Sequence, residues 1–237
     1  VLGWGRKGHD AIAYIAECHL TKKAKNNIAK YLEHPIVYYA SWMDEYRKTP
    51  EYIFSDKWHV GYVDENLRNT EGVRKPEGDC VRELEDAIAR LKDYRTLDDS
   101  TVAVNLKYII HLAGDMHCPS HVYYKGKPGF RVKLNGTEMS YHAVWDSGVL
   151  DASNMWSYTE YQQMLDLYTK KERDAISAGT PLEWFEQSAA DCIVIYDWAG
   201  PGDQLGKDFV NKARTLPEQQ IVKAGYRLAR ILNELFG

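Results

Sequence analysis

Asp98-Asp-Ser-Thr-Val-Ala-Val-Asn-Leu-Lys-Tyr-Ile-Ile-His111-Leu-Ala-Gly-Asp115-Met-His-Cys-Pro-Ser-His121 is the most informative stretch of this 237-residue chain. Asp98, Asp99 and Ser100 offer side-chain acceptors for the unpaired N–H groups of a helix start. Leu106, Ile109, Ile110 and Ala113 follow at helical spacing, and the helix is expected to end near Pro119. On that helix His111 and Asp115 lie one turn apart on one face, so both side chains reach the same point. Imidazole nitrogen and carboxylate oxygen are ligands that zinc and similar divalent ions accept. One such pair means little. A second pair follows in His142-Ala-Val-Trp-Asp146, with His121 between them, and together they point to a site for more than one metal.

The same periodicity recurs elsewhere. Ile12, Ile15 and Ala16 mark a helix over 8–19, Thr21 caps a second running to 32 ahead of Pro35, and Tyr39, Trp42, Met43 and Tyr46 mark a third over 36–47. Val81, Leu84, Ala87, Ile88 and Leu91 draw an amphipathic stripe over 79–94, and Ile221, Ala224, Leu228, Ile231 and Leu232 draw another over 217–235. Strands are expected only at 130–134 and 137–141, a hairpin turning on Asn135-Gly136. Asn135-Gly136-Thr137 also matches a glycosylation sequon, a weak signal. The polar stretch 62–78 reads as a long surface loop. These patterns predict an all-α fold, one domain over 1–237, with a small β-hairpin near 130–141.

Composition narrows the function class. The chain carries 30 basic and 34 acidic residues, a formal charge of −4, without the basic footprint of a duplex-binding module. Bound metals can supply positive charge locally, so a nuclease stays open. Seventeen Tyr and seven Trp are enough to build a core and also to line pockets for flat rings. No apolar run approaches the roughly 20 residues of a membrane-spanning helix. Val1-Leu2-Gly3 before Trp4 resembles the end of a signal peptide, which makes 1–3 a candidate leader remnant and the protein a candidate for export. Cys18, Cys80, Cys118 and Cys192 form an even set that an exported protein can pair in three ways, and none lies in a C-x-x-C motif. Cys18, within a helical pattern, reads as a buried small residue.

Further candidate ligands lie upstream. Trp4-Gly-Arg-Lys-Gly-His9 puts a histidine at a helix start, Ala40-Ser-Trp-Met-Asp44-Glu-Tyr-Arg47 puts a carboxylate and a guanidinium on one helical face, and Trp58-His59-Val60 opens the polar loop. In this order and spacing, from Trp4 to Asp146, the chain resembles the zinc-dependent single-strand-specific nucleases of fungi, plants and bacteria. That family shares its helical fold with the bacterial zinc phospholipases C.

The resemblance implies a zinc-dependent phosphodiesterase that cuts single-stranded DNA or RNA to 5′-nucleotides, with 3′-nucleotidase activity, as a monomer without an obligate protein partner. It implies up to three zinc ions. Asp44, His59, His111 and Asp115 would hold the first, and His121, His142 and Asp146 a more open second. Trp4, through its free amine and carbonyl, would hold the third with His9 and the bridging Asp115. Arg47 matches the arginine expected near the phosphate, which makes Asp44, Arg47 and Asp115 the candidate catalytic residues. His117, Glu45 and Asp10 match no ligand position. Metal ions lower the pKa of water and take up charge on phosphoryl oxygens, as this chemistry needs.

Two departures stand out. While residues 1–3 precede Trp4, its nitrogen is an amide and cannot ligate, so the third ion is expected to bind weakly or not at all. Fungal members carry an aromatic directly after the His59 position, where this chain has Val60-Gly61. Tyr62, Tyr123 and Tyr124, with Asp64, are the candidate substrate-binding residues in its place. Two rival readings differ in class. A phospholipase C would use an equivalent cluster, though its last carboxylate is typically Glu rather than Asp146. A non-catalytic metal-stabilised module would close its sites with four protein ligands, whereas His121, His142 and Asp146 leave room for water.

Overall fold

The helix expected around His111 runs from Asp99 to Asp115, and the Asp98 carboxylate caps it by accepting from the Thr101 N–H at 3.3 Å. From Tyr108 to Asp115 every residue is buried, which a helix achieves only when other elements surround it. The computed structural model describes residues 4–237. The leader remnant expected at 1–3 lies outside them.

In chain order the helices are α1 (Arg6–Cys18), α2 (Lys22–Ile28), α3 (Trp42–Tyr46), α4 (Cys80–Leu91), α5 (Asp99–Asp115), α6 (Tyr141–Ala143) and α7 (Val149–Ser153). They continue as α8 (Tyr158–Leu165), α9 (Lys170–Ser177), α10 (Pro181–Cys192), α11 (Ile195–Trp198), α12 (Lys207–Ala213) and α13 (Thr215–Phe236). Short strands β1 (Gly61–Val63), β2 (Val122–Tyr124), β3 (Arg131–Leu134), β4 (Thr137–Ser140) and β5 (Gln204–Leu205) lie between them. The fold is mainly α-helical, as the periodicity predicts. α5 sits among α1, α3, α4 and α13. The long α13 lies so close along α1 that a Cβ on Gly225 would fall 2.5 Å from Ile15 Cγ2. A smaller apolar cluster, with Val132, Leu134, Trp145 and Ile195, sits beneath the hairpin.

The hairpin has the expected register, Leu134 opposite Thr137, and Asn135 and Gly136 turn it at φ 48° and 83°. Three strands were not anticipated. β1 and β2 pair in parallel, Tyr62 opposite Tyr123, and β5 pairs in parallel with β3. Strands of two or three residues carry no periodicity of their own; remote partners make them.

The helix expected over 36–47 is broken. A 3-10 turn (Ile36–Tyr39) and α3 are separated at Ser41, which has φ −107° and ψ 8°. The break leaves the Ala40 carbonyl free to accept from His111 Nδ1–H at 2.7 Å. The second helix is shorter than expected, ending at Ile28, although Thr21 caps it through the Ala24 N–H. α5 stops at Asp115, short of Pro119, which starts a 3-10 turn (Pro119–His121). Asp146 lies on a single π turn (Val144–Gly148), a widening often found at functional sites. All four cysteines are free thiols. Cys80, Cys118 and Cys192 are buried and Cys18 is exposed, contrary to its expected burial, because the buried face of α1 runs through Ala11, Ile12, Ile15 and Ala16. Among the described residues no helix is long and apolar enough to cross a membrane.

Candidate metal centre

α5 delivers His111 and Asp115 from its last turn, both fully buried. The His111 ring is oriented from behind: with Nδ1–H committed to the Ala40 carbonyl, Nε2 faces inward. It lies 3.0 Å from Asp115 Oδ2, 3.4 Å from Asp44 Oδ1 and 3.2 Å from His59 Nδ1. His59 Nδ1 is itself 2.7 Å from Asp115 Oδ2 and 3.5 Å from Asp44 Oδ1. Four ligands at about 2.0–2.1 Å around a tetrahedral ion stand about 3.3–3.4 Å from one another. These atoms are already grouped close to that spacing.

Asp115 turns its other oxygen the opposite way. Oδ1 lies 3.0 Å from His9 Nε2 on α1, and His9 Nε2 is 3.9 Å from Asp44 Oδ2. Trp4 is anchored beside them by its indole N–H, which donates to the Gly114 carbonyl at 2.8 Å. The third group lies around Asp146. Its Oδ1 is 3.1 Å from His121 Nε2, its Oδ2 is 3.2 Å from His142 Nε2, and Ser120 donates to Oδ1 at 2.9 Å. His121 is aimed by its Nδ1–H, which donates to the His59 carbonyl. Cys118 Sγ, 3.6 Å from Asp146 Oδ1, completes this third group.

The donor set fits divalent cations. His9 Nδ1 and Nε2, Asp44 Oδ1, His59 Nε2, Asp115 Oδ1 and His142 Nε2 are buried without a hydrogen-bond partner. Unpaired buried polar atoms cost about 1–3 kcal/mol each. His9 Nε2 and Asp115 Oδ1 approach to 3.0 Å yet do not meet hydrogen-bond geometry, as expected when both lone pairs point at a third position. Burial lowers the pKa of His9 and His59, keeping both imidazoles neutral, the form a metal accepts. For Asp44, burial opposes ionisation, but the facing His111 outweighs it and holds the carboxyl at about 2.

A cleft of about 260 Å³ opens over the cluster. Arg47, Lys48 and Lys57 bring positive charge to one wall, and Tyr62 and Tyr123 form another. Arg47 Nε lies 3.5 Å from Asp56 Oδ1, an acid that the sequence pattern did not single out. Tyr62 and Tyr123 meet edge to face at 5.4 Å, and Tyr123 is 42% exposed. The other two candidate substrate-binding residues have structural duties. Tyr124 is buried and donates to the Ala189 carbonyl at 2.7 Å. Asp64 Oδ1 accepts from the N–H groups of Asn66 and Arg68, closing its own turn. His117 is buried away from the ligand groups: Nδ1–H donates to the Ala113 carbonyl and Nε2 accepts from Arg227 Nη1 at 2.9 Å. Glu45 pairs with Arg6. Ser120 was legible only as a neighbour of His121.

This layout was compared with known proteins. A match to the S1/P1 nuclease family extends over residues 4–237. The chain belongs to that family. Its relatives include Nuclease S1 of Aspergillus oryzae, 26% identical over 267 residues that cover 98% of this chain and 91% of the relative. Nuclease P1 of Penicillium citrinum is 27% identical over 267 residues, covering 99% and 98%. Endonuclease 2 of Arabidopsis thaliana is 25% identical over 278 residues, covering 99% and 91%. Nucleases are hydrolases of phosphoric ester bonds, and that places this S1/P1 family member among enzymes rather than non-catalytic modules.

Proposed function

We propose that this S1/P1 family member hydrolyses single-stranded DNA or RNA to 5′-nucleotides, acts also as a 3′-nucleotidase, and does so with up to three zinc ions. The observation that carries the reading is the grouping of His9, His111 and Asp115, of Asp44, His59 and His111, and of Cys118, His121 and Asp146, each set with its ligand atoms within 4.8 Å of one another. Asp44, His59, His111 and Asp115 would hold one ion, His121, His142 and Asp146 a second, and His9 and Asp115 a third with the main chain of Trp4. Bound there, the metals would make water ionisable near neutral pH and neutralise charge on the phosphoryl group.

The protein's own groups do the rest. Arg47, at the cleft wall, pairs with a phosphate oxygen and takes up charge as the ester bond lengthens. Asp56 restrains the guanidinium through its 3.5 Å contact. Asp44, held ionised by the facing His111, would offer its carboxylate to the first ion and a hydrogen-bond acceptor to water bound beside it. Asp115 ties the ligand groups together, since its two oxygens face different histidines. The names of the relatives favour nucleic acid over lipid as the substrate. Export rests on the sequence at 1–3 alone, and action as a monomer on the family resemblance.

The test is a zinc-supplemented assay offering single-stranded DNA, RNA, a 3′-mononucleotide and phosphatidylcholine side by side. Chelator-sensitive release of nucleotide or phosphate is the expected outcome. Headgroup release without any nucleotide turnover would overturn the reading in favour of a phospholipase C.

A further inference from the structure

Arg227, on α13, is only 3% exposed, yet every contact it makes is with a neutral group. Nε donates to the Ile176 carbonyl at 3.1 Å, Nη1 to His117 Nε2 at 2.9 Å, and Nη2 to Gln187 Oε1. Trp184 lies beneath the guanidinium, its ring centroid 5.6 Å away. Burial lowers the pKa of Arg227 to about 10, which still leaves it cationic at neutral pH. Among the described residues it forms no ion pair. A buried charge without a counter-ion is costly, and neutral hydrogen bonds restore only part of the lost hydration. Arg47, also buried, stands beside Asp56. Arg227 faces a cavity instead.

That cavity, of about 420 Å³, lies where α9, α10 and α13 meet, and it shares no lining residue with the cleft over the ligand cluster. Its size falls within the range of about 300–1,000 Å³ common for small-molecule sites. Lys223 adds a second cation to its wall. Two acids are near, and neither supplies the charge that Arg227 lacks. Asp191 is engaged with Lys223 Nζ at 3.0 Å. Glu183, at the cavity wall, accepts from the Thr180 hydroxyl at 3.2 Å. A guanidinium carries five N–H donors, and the three contacts of Arg227 use three of them.

We propose that this cavity is an oxyanion site, separate from the metal centre, which takes phosphate or the phosphate group of a nucleotide. The anion supplies the counter-charge that the fold omits and accepts from the remaining guanidinium N–H groups and from Lys223. Such charge-assisted bonds are stronger than those Arg227 makes to its neutral neighbours. The site does not depend on the nuclease reading, because no metal ligand lines it.

The experiment counts phosphate ions bound per chain by calorimetric titration of the metal-loaded enzyme and two variants. Arg227→Gln removes the cation. Gln187→Glu keeps the shape of the side chain that already meets Nη2 and turns it into a carboxylate, so the counter-charge comes from within. Each variant is expected to bind one phosphate fewer than the unaltered enzyme. In phosphate-free buffer Gln187→Glu should also melt about 2–4 °C higher, and its hydrolysis of single-stranded DNA should stay within about twofold. If Arg227→Gln fails to fold, Gln187→Glu decides alone. A Gln187→Glu enzyme that binds as many phosphates as the unaltered one, or that melts lower, would overturn the site while leaving the nuclease reading intact. Titration with a nucleoside 5′-monophosphate separates the two sources. An extra place filled by both ligands assigns the site to the phosphate group of either, and one filled by inorganic phosphate alone assigns it to the free ion. A place filled by neither overturns it.

Discussion

Ser120 donates its hydroxyl to Asp146 Oδ1 at 2.9 Å, and by doing so orients a carboxylate whose two oxygens face His121 and His142 separately. Partners of this kind hold a ligand in place before any ion arrives. Ser120 itself is set by the 3-10 turn that follows α5, so the helix carrying His111 and Asp115 also aims the neighbouring ligand group.

Ser120→Ala should therefore weaken the ion held by His121, His142 and Asp146 by about 10–100-fold, the usual loss when such an orienting group is removed. Competition with a chromophoric chelator reads this directly. Affinity unchanged within twofold would mean that Asp146 is positioned without the serine.

Arg47→Ala should lower kcat/KM by about 100–1,000-fold, in line with the loss of one transition-state donor. Metal content should stay the same, since Arg47 holds no ligand position. Asp56→Asn should cost about tenfold, acting through the guanidinium it restrains. Kinetics paired with metal analysis would show whether both effects fall on turnover rather than on loading.

Trimming the chain to begin at Trp4 should raise metal content towards three ions per chain and increase turnover. The freed amine can ligate, whereas an amide nitrogen cannot. Equal occupancy with and without residues 1–3 would show that the third position does not depend on that amine.

Gly225→Ala should destabilise the protein by about 1–3 kcal/mol, because the new methyl group would sit 2.5 Å from Ile15 Cγ2. Thermal melts of the metal-loaded protein would measure it. No change would imply that α1 and α13 separate more easily than their contact suggests.

Asp166 accepts from Tyr226 and Gln162 and pairs with His19. Burial opposes its ionisation, but these hydrogen bonds prevail and its pKa is lowered. A lowered folded-state pKa stabilises above the unfolded value near 3.9, and the contribution disappears as pH falls through the folded value. Asp166→Asn should lose about 1–3 kcal/mol at pH 7 and less at pH 3. Urea unfolding at the two pH values gives the comparison. An equal loss at both would show that the carboxylate's charge contributes nothing.

Much of the ligand set was legible because helices convert spacing into geometry. His111 and Asp115, and His142 and Asp146, lie four apart, and the i,i+4 rule brings each pair together at 3.0 and 3.2 Å. His9, Asp44 and His59 have no such local rule. Their meeting with Asp115 depends on α1, α3 and the segment before β1 all packing on α5, and only the resemblance to a known family anticipated it.

The chain's own order of residues thus determined a helical fold, its capped central helix, the Asn135-Gly136 turn and two histidine–aspartate pairs, all of them features of short range. Tertiary structure alone decided the break at Ser41 that frees the Ala40 carbonyl for His111, the β1–β2 pairing that sets Tyr62 against Tyr123, and the duties of Tyr124 and Asp64 as structural residues. These depend on partners remote in sequence, and a carbonyl, a ring or a carboxylate commits its hydrogen bonds only once the packing has chosen its neighbour.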